Sequence, residues 1–503
     1  MITLADPADL TPEVYRRVIH EGETLALAPA LLDRIDAARA TFLALLDAGA
    51  LCYGVNTGFG ALHGERIETR DWAELQRNVL RARAAATGAP FSPPVARGMM
   101  LARLVNFLSG HAAASAALCR FIVDRLNDGF TPWVPARGLG MAGEIIPLCH
   151  MAQTFVGEGF VIGDDGARIP AAEALAARGV APYVPGAKEG LALINGVAAS
   201  PAYGFEAARA LGRTARLLIL VAAASVEAMA APLEPYDPAV DRLRPQPGIA
   251  EAARRLRRHL AGSAIPRGAA QAAISLRVTP QVMGALLDAL AGFEAVLAEE
   301  LASISDNPVF VAGNGDGPAR ILHTGSFHNA HLALAADGLA VALASAGALS
   351  VRRLHRLLDA RHSGLAPQLA LRPGMDAGLV ILHKAALGHE ARLRLLAAPV
   401  TLNQAEASFG QEDAMTMIFP ALDRLFEMAE IARMIAAYEL YAALVAIDQR
   451  GERPGADVAT LRALVRARVA PYAGDRAYGP EIEIVAALFD DPAFAELTAC
   501  GRA

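Results

Sequence analysis

The chain has 503 residues, 54% of them hydrophobic and 19% charged, with a mean hydropathy of +0.32 and a formal charge of −6. That length suits two or three ordinary domains or one large helical assembly, and the excess of Ala and Leu implies large buried surfaces, some of them between subunits. A mildly acidic chain without a basic footprint is not built for nucleic acid. Its four cysteines (Cys52, Cys119, Cys149, Cys500), without paired spacing, read as reduced thiols of a cytoplasmic protein.

The N-terminus carries Asp6 and Asp9 and no apolar core, so it is not a signal peptide. Residues 1–70 mix short helical patterns with a Gly-rich loop, Tyr53-Gly-Val-Asn-Thr-Gly-Phe-Gly60. Helical periodicity is predicted over 72–130, including Leu75, Val79, Leu80 and Ala86. Residues 131–200 are rich in Gly and Pro and read as loops that carry function. Long Ala/Leu-rich helices then dominate, broken by turn signals at Pro232–Pro247, Asp306-Asn307-Pro308 and Asn314-Gly315-Asp316. A smaller helical segment follows Arg453-Pro454-Gly455. This divides the chain into an N-terminal region with active-site loops (1–200), a central long-helix bundle (201–450) and a C-terminal helical cap (451–503). Glu227 and Asp337 interrupt the apolar runs Leu217–Pro232 and Ala330–Ser350, so both are expected to be core helices rather than membrane spans. The expected class is all-α.

Gly138-Leu-Gly140-Met-Ala-Gly143 matches GxGxxG, but Pro132 and Pro135 precede it and no alternating strand–helix pattern surrounds it, so no dinucleotide site is expected. His63, His150 and His328 lack a partner at metal-ligand spacing, so no metal is expected either. A larger set of motifs is far more specific. It comprises the Tyr53–Gly60 loop, Leu75-Gln-Arg-Asn78, Trp133 through His150, Lys188 through Gly196, Ser275-Leu-Arg277 with Pro280-Gln281, Ser305-Asp-Asn-Pro308, Gly325-Ser-Phe-His328 and Gln411-Glu-Asp413. In this order and spacing, over nearly the full length, they resemble the histidine/phenylalanine/tyrosine ammonia-lyase family. The resemblance implies an all-α homotetramer of the ammonia-lyase/fumarase-like type, with a central bundle of long helices, active sites shared between subunits and a small-molecule substrate.

Carried over by residue, Tyr53 matches the loop tyrosine that acts as base on the substrate's β-proton. A phenol ionises near pH ~10 in water, so that role asks for a cationic or helix-terminal setting. Arg277 matches the arginine on the substrate carboxylate, where a bidentate guanidinium is well shaped. Asn195 would add a hydrogen bond to that carboxylate or to the amine. Glu412 matches a glutamate facing the amine or ring, and Phe327 belongs to the triplet beside the electrophile. In the family an Ala-Ser-Gly triplet cyclises to a methylidene-imidazolone. Here the triplet reads Met141-Ala142-Gly143, and an alanine has no hydroxyl to expel. No cofactor is therefore expected.

Further departures accompany this one. Arg83 stands where histidine ammonia-lyases carry a ring-recognising histidine. Ile274 replaces a tyrosine, Ser326 an asparagine and Ala414 a histidine. Lys384 is added on an apolar stripe of Ala377, Val380, Ile381, Leu387, Gly388 and Ala391. Snorkelling into water is one reading of it; a pocket cation is the other, because the matching neighbourhood faces the family's substrate site. Without the electrophile an easier substrate is needed. A quaternary ammonium has no N–H to lose and departs as a neutral amine, and a ring able to take up charge would acidify the β-carbon. The pattern is similar to the branch of the family that eliminates trimethylamine from ergothioneine, giving thiourocanate. Tyr53 would be the base and Arg277 the carboxylate ligand. Lys384 and Glu412 would activate the ring, with Lys384 as proton donor or sulfur ligand, and Arg83 would face the sulfur, the ring or Tyr53. Another betaine, a diacid substrate and a non-catalytic binding homologue are the alternatives.

Overall fold

A computed structural model describes residues 1–268, 271–313, 317–402 and 405–499. The turn signal Asn314-Gly315-Asp316 and Cys500 lie outside the described residues. The fold is predominantly helical, as composition and periodicity predict, and its strands form only two-stranded pairs of three or four residues each.

The chain forms two compact units, each assembled from separated stretches of sequence. The first comprises Met1–Glu206, Glu294–Leu334 and Val400–Leu422; the second comprises Ala207–Phe293, Ala335–Pro399 and the chain from Asp423 onward. In the first unit the Pro93–Leu108 helix is buried along almost its whole length and packs on the Ala116–Asn127 helix. Leu101, Leu104 and Phe107 are fully buried there, each worth about 1.5–3 kcal/mol relative to exposure. Gly98 lets the Pro12–His20 helix come close, since a Cβ at that position would collide with the Tyr15 phenol.

Two local expectations need correction. The helix carrying Leu75, Val79 and Leu80 runs Trp72–Arg81 and ends before Ala86. The chain leaves it to form the strand Thr87–Pro90, which pairs antiparallel with Pro135–Arg137, and the Ala86 N–H donates to His150 Nε2 at 3.1 Å. Nonlocal pairing here overrides the helix propensity of an Ala/Arg run. Conversely, the Gly/Pro-rich stretch 131–200 contains the helix Ile145–Phe155. Pro147 sits in its first turn, where a backbone N–H would have no partner within the helix. The short strand before Gly138 is antiparallel, so the GxGxxG match lacks the parallel strand–helix–strand setting of a dinucleotide site.

In the second unit, buried ion pairs tie the long helices together. Glu439, on Ile418–Arg450, accepts from Arg353 Nε (2.6 Å) and Nη2 (2.9 Å) and from Ser225 Oγ (2.6 Å). Thr279–Ala302 and Ala330–Leu358 are long and apolar enough to cross a membrane by length and composition. Ala330–Leu358, however, places Asp337 against Arg424 and Arg353 against Glu439, charges that a packed protein core satisfies. On Val380–Leu396 the buried face is Leu382, Ala386, Glu390 and Leu393. The apolar stripe that carries Lys384 lies on the other side: Ile381 and Leu387 are exposed, and so is Lys384. Periodicity identified the stripe, but the chain does not bury it against itself.

Candidate active site

Family-like motifs in the first unit build one loop and the cavity behind it. Gly54 has φ +67, and a Cβ there would collide with the Phe59 ring, so the turn after Tyr53 requires glycine. Asn56 closes the loop from within, accepting from Cys52 N and donating to Ala50 O, both at 2.8 Å. Gln76 hooks the loop to the helix Glu189–Ile194: it donates to Gly54 O and accepts from Leu191 N, both at 2.9 Å. These residues hold the scaffold, which leaves the Tyr53 phenol for the cavity.

The Tyr53 oxygen accepts from Gly60 N–H at 2.7 Å, and its ring meets Phe59 edge-on, centroids 5.8 Å apart. The Arg83 guanidinium lies over the Phe59 ring, 4.5 Å from its centroid. Burial pushes the Arg83 pKa down, while Tyr53, Cys149 and Glu412 oppose that shift. An arginine stays charged under such a push, so the cavity holds a permanent cation beside the tyrosine. Glu412 accepts from Ser408 Oγ at 3.1 Å. Asn195 follows Glu189–Ile194 and donates to Asn307 O at 2.6 Å.

Two adjoining chambers result. One, of about 450 Å³, is lined by Arg83, Phe59, Met141 and Ile146; the other, of about 420 Å³, by Ala142, Phe327, His323 and Gln411. Tyr53, Gly60, Ile145, Asn195 and Glu412 line both. Met141 and Ala142 thus form cavity wall: Met141 Sδ accepts from Ile146 N at 3.4 Å, Ala142 is buried, and behind them Gly143, at φ +92, packs against Phe327. The adjacent Glu144 is buried and receives the N–H groups of Ala198 (2.7 Å), Ala199 (2.5 Å) and Ser200 (3.1 Å), capping the Ala199–Ala228 helix.

The structure therefore brings Tyr53, Arg83, Asn195, Glu412, Phe327, Met141, Ala142 and Gly143 together in the first unit. Arg277 and Lys384 belong to the second unit and line neither chamber. Arg277 Nη1 donates to Gln271 at 2.9 Å, and Ile274 one turn earlier is exposed. Sequence reasoning missed two features. Asp306, fully buried, pairs with Lys188 and with Arg103 Nη2 (2.9 Å), directly before the Asn307 that receives Asn195; both acidic and basic partners but Arg103 lie in motifs already quoted for the family, so the signal was present. His323, whose Nε2 accepts the Tyr53 N–H at 3.2 Å, carried no pattern of its own. His150 accepts from Ala86 and burial lowers it to about 4, a structural role. Among the described residues no group of three or more His, Cys, Asp or Glu is placed to hold a metal ion.

The sequence matches the aromatic amino acid lyase family over residues 10–467. It is 36% identical over 485 residues to a histidine ammonia-lyase of Aromatoleum aromaticum, covering 95% of this chain and 91% of that one. The fold superposes on the crystal structure of histidine ammonia-lyase from Trypanosoma cruzi with TM-score 0.86 and 30% identity, covering 99% of this chain and 95% of that one. It also superposes on ergothionase from Treponema denticola, solved in complex with desmethyl-ergothioneine sulfonic acid, with TM-score 0.93 at 23% identity, covering 97% of this chain and 98% of that one; at that identity the likeness speaks for the fold. This chain belongs to the aromatic amino acid lyase family.

Proposed function

We propose that the protein is a carbon–nitrogen lyase that eliminates trimethylamine from ergothioneine to give thiourocanate, and that it does so without the family's methylidene-imidazolone. The observation that carries this reading is Ala142: a buried methyl in the cavity wall stands at the triplet position where the family's methylidene is made from a hydroxyl, in a cavity that also holds Tyr53 and Arg83. The residues present do not fit the prosthetic group, and no step passes through it.

On this reading Tyr53, as phenolate, removes the β-proton; the charge it leaves behind spreads into the thioimidazole ring. The Gly60 N–H and the Arg83 guanidinium are the positive groups that such a phenolate meets. Glu412 and Lys384 hydrogen-bond the ring or lend it a proton as it gains electrons, and take that proton back as the electrons return from the ring to form the double bond. The Cα–N bond then breaks, its electron pair leaves with neutral trimethylamine, and the Cα=Cβ double bond forms. Arg277 and Asn195 hold the carboxylate. Arg277 and Lys384 line neither chamber, so this reading requires other subunits of a homotetramer to complete the site, with the exposed stripe around Lys384 as one of the surfaces that would meet.

Purified protein given ergothioneine should release trimethylamine and an ultraviolet-absorbing product. Turnover of free histidine without turnover of ergothioneine would sink the proposal. An intact mass short by two waters would show that the cyclised group forms after all.

A further inference from the structure

Tyr53 is tethered at both ends, the phenol to Gly60 and the backbone to a residue from a distant stretch of the chain. We infer that His323 is a positioning residue for Tyr53, setting where the base stands relative to Asn195. This rests on the proposed role of Tyr53 as base.

The strand Val309–Val311 pairs antiparallel with Arg320–Leu322, Val309 opposite Leu322. Asn307 lies just before the first strand and His323 just after the second, so both project from the same end of the pair. Asn307 O accepts from Asn195 Nδ2 at 2.6 Å, and its Oδ1 accepts from Thr324 N at 2.7 Å. His323 Nε2 accepts from Tyr53 N at 3.2 Å, the one hydrogen bond of that N–H among the described residues. One sheet end thus holds the asparagine that meets the substrate carboxylate and the backbone of the residue that meets its β-proton. For Nε2 to accept, the imidazole must be neutral with its proton on Nδ1, so the tether needs an acceptor and not merely bulk. The glycines of the loop leave its backbone little stiffness of its own, which makes an external anchor consequential.

The test compares His323→Leu, which lacks an acceptor, with His323→Gln, whose amide oxygen supplies one, in the full-length assembled enzyme. His323→Leu should lower kcat by about 10²-fold with KM within about threefold, because misplacing a base hurts the chemical step more than binding. Its primary isotope effect on β-deuterated ergothioneine should rise, amide exchange across residues 51–60 should quicken, and His323→Gln should recover most of the loss. Wild-type kcat and unchanged loop exchange in His323→Leu would overturn the inference. So would equal impairment of both variants with an unaltered isotope effect. If the wild type does not act on ergothioneine, the proposed function fails, while loop exchange in His323→Leu still decides the tether.

Discussion

Tyr53→Phe removes one oxygen and leaves the loop its other contacts. The ring keeps its edge-to-face packing on Phe59 at 5.8 Å, and the backbone N–H still reaches His323 at 3.2 Å. The structural loss is the 2.7 Å hydrogen bond from Gly60 N–H, in a half-buried position and worth about 0.5–1.5 kcal/mol net. The chemical loss is of another size. Removing a general base costs about 10²–10⁴-fold in kcat, which at about 1.36 kcal/mol per tenfold is ~3–5.5 kcal/mol of barrier. The two effects are separable by assay: thermal unfolding should shift by a few degrees at most, while thiourocanate formation followed by absorbance falls by orders of magnitude. A Tyr53→Phe enzyme with unchanged stability and kcat within about threefold of wild type would refute the reasoning, because such a residue is not the base.

Lys384→Met should fold and assemble normally, Lys384 being exposed in the chain, yet lower kcat by about 10²-fold or more as ring activation is lost; wild-type kcat would remove Lys384 from the mechanism. Asp306→Asn removes the ion-pair partner of both buried Arg103 and buried Lys188, which should destabilise the fold by about 3–5 kcal/mol in denaturant unfolding. Burial first, then Glu144 and Glu299, pushes Glu300 up to about 7. A carboxyl raised in this way contributes stability that is complete below the ordinary carboxyl range and is lost as pH rises through about 7. Glu300→Gln stays neutral throughout, so in urea it should exceed wild type by about 1–2 kcal/mol near pH ~8, a figure discounted for the partial exposure of the side chain, and match it near pH ~4.

The parts of this molecule legible in the sequence are those with local causes. Ala/Leu periodicity is enough to announce the long helices, and the Tyr53–Gly60 loop is readable because its turn tolerates only glycine after the tyrosine. What escaped depends on partners far along the chain. The Trp72–Arg81 helix stops where Thr87–Pro90 finds Pro135–Arg137, more than forty residues later, and nothing in the Ala/Arg run signals that. Helical spacing groups Ile381, Lys384 and Leu387 on one face, but it carries no information about what covers that face, and all three are exposed among the described residues. His323 is one of 12 histidines, and its reach to Tyr53 N and its place in the chamber wall, both set by the fold, distinguish it from the structural His150.

The layout of the two chambers bears on how the proposed base, Tyr53, could work in a chain that has Ala142 in place of the serine. Tyr53 lines both, so a substrate whose β-carbon meets it can extend its ring one way and its nitrogen the other. Arg83 stands in the chamber where, on the proposed reading, negative charge grows on the ring. Ala142 and Phe327 line the other chamber, where on the same reading positive charge would disappear as trimethylammonium becomes trimethylamine. A fixed cation at the growing charge and an apolar wall at the vanishing one both favour the transition state over the ground state. The same wall treats a primary ammonium differently. The methyl of Ala142 and the ring of Phe327 offer its N–H groups no acceptor, so it would depend on the polar groups of that chamber, Glu412 and Gln411 among them, whereas trimethylammonium needs none. On this reading a free α-amino acid would meet, in the methyl of Ala142, both the loss of the electrophile and a patch of wall that accepts none of its N–H groups. Substituting that one wall is where selectivity between the two leaving groups should be most sensitive.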